Sequence, residues 1–201
     1  YVCPGTSTWC SLAGRTEYAL ANLLSAAENG LKHGAIGYLN TVWGERGHWQ
    51  TPPASLLGFA MGAAYSWALE ANRSADAADL VSRYGFDDPS GVMGRVAYDL
   101  GNVYRVPSTQ VSNGSALFWS LQLRLGDTKR GELPTRESLD RTLQAIDAAI
   151  APIDSARMTR PDADLIRREY LLTARMMRHS ANRLIAAQSE LSGVVAEELA
   201  V

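Results

Sequence analysis

The residues best equipped for chemistry are crowded into one short tract, Trp43-Gly44-Glu45-Arg46-Gly47-His48-Trp49-Gln50. Two indoles, a carboxylate and an imidazole, with two glycines permitting close approach, are the parts of a carbohydrate site. A tryptophan face packs against the apolar side of a sugar ring. The Glu45 carboxylate accepts hydrogen bonds from sugar hydroxyls, and the His48 ring both donates and accepts. The other use of these residues is structural, with Trp43 and Trp49 as core aromatics and Glu45 and Arg46 as a solvated face. A second aromatic tract, Thr6-Ser7-Thr8-Trp9, comes earlier in the chain. Trp9 faces the same space as Trp43 if the two tracts follow adjacent strands; otherwise it is a buried indole beneath a capping loop.

Other chemistries lack their residue patterns. Ser7 and Ser11 have no G-x-S-x-G setting, and no Asp and His stand where a hydrolase triad needs them. Asp87-Asp88 precedes Pro89 and reads as a turn rather than as a carboxylate pair. The three histidines, His33, His48 and His179, are scattered without metal-ligand spacing, so no metal and no cofactor is expected. His179 is expected to be a capped or core histidine, and Arg167-Arg168 a solvated face with Glu169. Six residues separate Cys3 from Cys10; the pair is expected to be free, partly buried thiols rather than a disulfide. Asn72-Arg73-Ser74 and Asn113-Gly114-Ser115 match the glycosylation tripeptide, which is common by chance.

The elements that position the aromatic tracts can be read from periodicity. Residues 1–4 form a short extended run ended by Pro4-Gly5. From Arg15 to Lys32 apolar residues recur at helical spacing (Tyr18, Leu20, Leu23, Leu24, Ala27, Leu31), and Gly30 and Gly34 mark the stop. Residues 35–43 are nearly all apolar and read as a strand buried on both faces. Strand, helix and strand in about forty residues form a βαβ unit with parallel strands. Both aromatic tracts then lie at strand C-termini, where α/β folds bind ligands.

Pro52 and Pro53 open a further helix to about Ala71, so uniformly apolar and small-residue-rich that burial on most sides is expected. After Asn72 the strand signal ends. Ala75–Tyr84, Ser90–Tyr104 and Gly114–Leu125 read as short amphipathic helices. Glu137–Ile153 and Pro161–Glu190 read as longer ones, with Leu139, Leu143, Ile146 and Ile150 on one face of the first. The second carries Leu165, Leu172, Met176 and Leu184. The expected class is mainly α: a βαβα segment over residues 1–71 followed by a helical domain over 72–201.

The chain has 201 residues, 46% hydrophobic and 20% charged, enough to bury a core. The net charge of −2 gives no basic footprint for nucleic acid. Apart from Lys32 and Lys129 every basic residue is arginine, a bias that reads as coding composition. No apolar run reaches the roughly 18–20 residues of a membrane span. Tyr1 leads directly into Tyr-Val-Cys-Pro-Gly with no charged or apolar leader. The chain is therefore read as part of a longer polypeptide, and no compartment is assigned.

Three tracts together carry a resemblance: residues 1–9, Ala26-Ala-Glu-Asn-Gly-Leu-Lys-His-Gly34, and Thr41-Val-Trp-Gly-Glu45 with Gly47-His-Trp-Gln50. They resemble the last two βα units of family 20 glycoside hydrolases, the β-N-acetylhexosaminidases and their bacterial relatives, over roughly residues 1–70. The resemblance implies that residues 1–71 are a remnant of a (β/α)₈ barrel. It implies that Trp43 stacks under an N-acetylhexosamine ring, that Glu45 holds its outer hydroxyls, and that Trp9 lines the same pocket. It assigns no role to His48, and the run through Arg46 and His48 leaves substrate preference open. In that family the substrate's own acetamido group attacks the anomeric carbon, oriented by an Asp while a neighbouring Glu protonates the leaving oxygen, outside the usual two-carboxylate scheme. No Asp-Glu dipeptide occurs in this chain, and a complete barrel takes about 250 residues. The chain alone is thus expected to be inactive, to need the N-terminal barrel part, and to self-associate through its open end. The competing expectation is a non-catalytic helical interaction module.

Overall fold

The computed structural model describes residues 1–109, 111–122 and 133–198, with side chains described as far as Gln188. It is mainly helical. The helices are α1 (Thr16–Lys32), α2 (Leu56–Trp67), α3 (Leu69–Asn72), α4 (Ala77–Tyr84), α5 (Val92–Asn102), α6 (Ala116–Gln122), α7 (Arg136–Ile150) and α8 (Ala163–Glu198). The end of the helix expected over Gly114–Leu125 lies outside the described residues.

Two extended segments flank α1 and meet in parallel, through bridges joining Val2 to Tyr38 and Gly5 to Thr41. Their hydrogen bonds alternate across the pair: Val2 N–H to Gly37 O at 3.0 Å, Leu39 N–H to Val2 O at 2.9 Å, Thr41 N–H to Pro4 O at 2.9 Å, Thr6 N–H to Thr41 O at 2.9 Å. The pairing is parallel as the βαβ pattern requires, but it amounts to isolated bridges, and no longer strand occurs among the described residues. Burial on both faces of the second segment is not observed. Ile36 is 86% exposed, and Leu39, Val42 and Trp43 are also open to solvent. A two-stranded pair has two free edges, so its apolar side chains lack the neighbours that a wider sheet supplies.

Helices α1 and α2 are bound to this pair by hydrogen bonds from side chains of one partner to backbone carbonyls of the other. Asn22 Nδ2 donates to Gly5 O, Tyr38 Oη to Leu23 O, and Asn40 Nδ2 to Gly58 O. The last bond depends on a missing side chain: a Cβ on Gly58 would fall 2.7 Å from Thr6 Cβ, so α2 lies across the extended pair only because that position is bare. The expected helix over 52–71 is divided. A 3₁₀ turn at Pro52–Ser55 precedes α2, and Ala68 breaks the chain between α2 and α3 with an extended backbone. Nor is it buried on most sides, since Phe59 is open and Trp67 is 91% exposed.

The core runs without interruption across the change of character near residue 72. Leu23, Leu57, Met61 and Leu69 join the same cluster as Val81, Phe86, Val96, Leu117, Ile146 and Ile166. Helix α8 reaches back to the first part of the chain. Tyr170 Oη donates to Pro53 O at 3.1 Å, and its ring meets Phe86 edge-on. Helix α7 buries Leu139, Ile146 and Ile150 as expected. On α8 the expected face holds at Leu184, which is buried, but not at Leu165 and Leu172, which are exposed, and Met176 is half-buried; the buried stripe is Ile166, Tyr170, Ala174, Met177, Ala181 and Leu184. Ala174 and Ala181 in that stripe let α6 and α7 pack closely against it; residue size alone does not separate Ile166 from the exposed Leu165. His179, expected to be capped or in the core, is exposed.

Asp88 shows how the helices are joined. Its carboxylate accepts from Met93 N–H, from Ser90 N–H and Oγ, and from Arg157 N–H. It thus caps the start of α5 and fastens the segment leading into α8. Burial pushes this carboxyl up, but the bonds from Met93, Ser90 and Arg157 outweigh it and hold it below the usual aspartate range. The stabilisation is present above an unfolded-state value near 3.9 and is lost as pH falls through the depressed folded value. Asp88→Asn is expected to lower stability at pH 7 by about 1.5–3 kcal/mol. In urea unfolding the gap from wild type should narrow from pH 5 to pH 2; a constant gap would refute the charge-assisted account.

Candidate functional site

The loop from Gly5 to Arg15 leaves the first extended segment and enters α1. Nearly every residue in it is buried, unusual for a connection, since connections normally run over the surface. Ser7 and Cys10 take left-handed backbone conformations, with φ of 57° and 49°, and Ser7 Oγ is buried with no hydrogen-bond partner. Strain of this kind, of order 1–3 kcal/mol per residue, persists only where surrounding structure imposes it. Here Ser115 N–H bonds Cys10 O, and Ser11 Oγ donates to Thr8 O while accepting from Gly14 N–H.

Trp9 rises from this loop and Trp43 from the end of the second extended segment; both rings converge on Gly5. A Cβ there would sit inside the contact envelope of the Trp9 ring and 3.4 Å from Trp43 Cδ1. The two indoles are thus neighbours because the parallel bridges bring their parent segments together. Each is fixed through its Nε1. Trp9 donates to Asn113 Oδ1 at 2.6 Å; Trp43 donates to Thr41 Oγ1 at 3.0 Å, whose hydroxyl in turn donates to Pro4 O. Trp43 remains 55% exposed, so its ring is oriented but open.

The following tract makes a 3₁₀ turn, Glu45–Gly47, with Arg46 and His48 both in left-handed conformations. Glu45 and His48 are exposed, and the His48 ring lies over Gly44. Two members of the tract are anchored on α6 instead: the Arg46 guanidinium lies 5.6 Å from the Trp119 ring centre, and Trp49 meets Phe118 edge-on. The structure therefore brings Trp9 and Trp43 together and leaves Glu45 and His48 on the adjoining rim. Trp49 and Arg46 serve to dock the loop on the helical part.

Three residues near this region have roles that the sequence did not indicate. Asn113 locks Trp9; the Gln50 amide is buried with neither its oxygen nor its nitrogen bonded; Arg15 lies under Trp9, its Cζ 5.1 Å from the ring centre. Gln50 belongs to the tract already noted, and its polarity beside Pro52-Pro53 was the available signal. Nothing in the local pattern marks Arg15, and Asn113 carries only the chance glycosylation tripeptide, its partner Trp9 lying 104 residues away. Cys3 is exposed and Cys10 buried, and neither forms a disulfide. Among the described residues no group of acidic, histidine and cysteine side chains could hold a metal ion.

Compared with protein-family models, curated proteins and solved structures, the chain finds no match.

Gly5→Ala is expected to displace Trp9 and cost about 1–3 kcal/mol, the usual range for an overpacked site. Thermal unfolding and tryptophan emission should report it together, as a lower midpoint and a red-shifted band. An unchanged spectrum would mean that Gly5 does not set the indole pair.

Proposed function

We propose that this chain is the C-terminal part of a glycosidase of the family 20 type, with Trp43, Trp9, Glu45 and His48 contributing to the subsite for an N-acetylhexosamine-containing glycan. The observation that carries the reading is the indole pair around Gly5, at the C-terminal ends of two parallel-bridged segments joined by a helix. An exposed tryptophan held at a fixed tilt is a stacking platform for the apolar face of a sugar ring. Glu45 beside it supplies a free carboxylate for hydroxyl groups. The orienting Asp and proton-donating Glu of that chemistry must come from the N-terminal barrel part, so catalysis belongs to the whole enzyme and sugar contact to this portion. The helices after residue 72 support the site mechanically, through the Trp9–Asn113 bond and the Trp49–Phe118 contact.

Calorimetric titration with chitooligosaccharide tests the subsite. In the full-length enzyme Trp43→Ala should weaken binding through lost stacking. Glu45→Gln should weaken it by removing a charged acceptor, worth on the order of 1.5–3 kcal/mol when its hydrogen bond is buried. Both variants should unfold at nearly the wild-type temperature. Unchanged binding and kinetics in both would remove these residues from the site and leave the helical interaction module as the better reading.

The exposed apolar residues on the extended pair and at the end of α2 also bear on assembly. Tyr1, Ile36, Leu39, Val42 and Trp67 are all open to solvent, and free strand edges recruit partners. The isolated chain is expected to self-associate, most simply as a two-fold dimer through this end. Light scattering at low micromolar concentration should show it; a clean monomer that binds no hydrophobic dye would refute it.

A further inference from the structure

Arg15, immediately before α1, is only 5% exposed. Its guanidinium lies between two rings, Cζ standing 5.1 Å from the centre of Trp9 and 4.7 Å from that of Tyr18. Ring faces stabilise a cation from above and below but offer nothing to the N–H groups in the guanidinium plane. Nε and Nη2 are sealed from solvent and make no hydrogen bond. These two nitrogens form one edge of the arginine fork, the edge that can hold two oxygens of a carboxylate or phosphate side by side.

Among the described residues no carboxylate answers this charge. Glu17, the nearest acid in sequence, accepts a hydrogen bond from the Tyr98 hydroxyl, and none of the ion pairs among the described residues includes Arg15. Burial lowers the proton affinity of the group, yet arginine stays charged in proteins. Leaving a buried cation unpaired is costly, and a site that sustains such a cost is a candidate site of function.

The same side chain lines an open cleft of about 1050 Å³. Its far wall carries Tyr104, Arg105, Ser108, Thr109 and Asn113, and the lining contains no acidic residue among those described. Arg105 and Ser108 are exposed on the rim. The cleft therefore offers two cations, several hydroxyls and aromatic walls, in a volume that suits a small molecule.

We infer that this cleft binds the oxyanion group of a small acidic ligand, a carboxylate or a phosphate, with Arg15 as the buried anchor and Arg105 as the rim cation. Tyr18 is 49% exposed and forms the outer cover of the guanidinium. Movement of the half-exposed Tyr18 frees the guanidinium to turn its Nε–Nη2 edge towards the cleft, where the ligand's oxygens supply the acceptors that these nitrogens lack. The inference stands on Arg15 and its surroundings and does not require the sugar subsite at Trp43.

The test is calorimetric titration of the chain with inorganic phosphate, glucose 6-phosphate and glucuronate, with glucose as the neutral control. At least one anion should bind saturably and raise the melting temperature while glucose does not, and the tighter class identifies the oxyanion. Arg105→Ala, a surface change, should weaken that binding about tenfold. Arg15→Met keeps the buried stem and removes the unpaired charge; it should melt at or above the wild-type temperature and abolish binding. Absence of saturable binding by all three anions to the wild-type chain overturns the proposal. So does wild-type affinity in Arg105→Ala, or in Arg15→Met if that variant folds. Chitooligosaccharide binding measured in parallel keeps failure of this cleft distinct from failure of the Trp43 subsite.

Discussion

Four backbone hydrogen bonds between residues 2–6 and 37–41 determine where everything else can go. They are few for a sheet, and alone they would not hold two segments together in water. They persist because α1 and α2 close over the pair, with asparagine and tyrosine side chains satisfying the backbone groups at the contacts. Once the segments are in parallel register, the chain leaving each one emerges at the same end. Trp9 and Trp43 then become neighbours although thirty-three residues separate them in sequence. The site is a consequence of register. A slip of one residue would turn every side chain of a segment to the opposite face and dissolve the indole pair.

The helical part stabilises that arrangement from outside. Asn113 holds Trp9, Ser115 holds the backbone of Cys10, and Phe118 and Trp119 receive Trp49 and Arg46. Tyr170 on α8 closes on Pro53 at the entry to α2. Surface ion pairs are numerous on α7 and α8, but exposed pairs contribute little each. The joining of the parts rests instead on a shared apolar core and on a small number of buried hydrogen bonds, of which those to Asp88 are the most concentrated.

Much of this was legible in the sequence where local periodicity governs. The α1 repeat, the parallel relation of the flanking segments and the Leu139–Ile146–Ile150 face of α7 follow from spacing alone. What was illegible depends on partners distant along the chain. The row Ile166, Tyr170, Ala174, Met177 and Ala181 is buried because neighbouring helices approach it closely, whereas Leu165 and Leu172 looked more like core by size. The apolar run at 35–43 reads as a doubly covered strand, yet it has cover on one side only. The cleft beside Arg15 and the role of Asn113 exist only once the segment carrying Asn113 and Ser115 folds against the loop before α1. A left-handed serine or cysteine leaves no mark in composition.

The Trp9–Asn113 and Tyr170–Pro53 bonds span 104 and 117 residues, whereas the α4–α5 and α7–α8 pairs join near neighbours. Contacts that close short loops form early, and those that close long ones bear a larger entropic cost before any reward. The helical hairpins are therefore the early structure of this chain, and the aromatic corner is assembled last. The aromatic corner depends on these long-range contacts, so it can loosen without the helical hairpins, whose contacts are closer in sequence, coming apart.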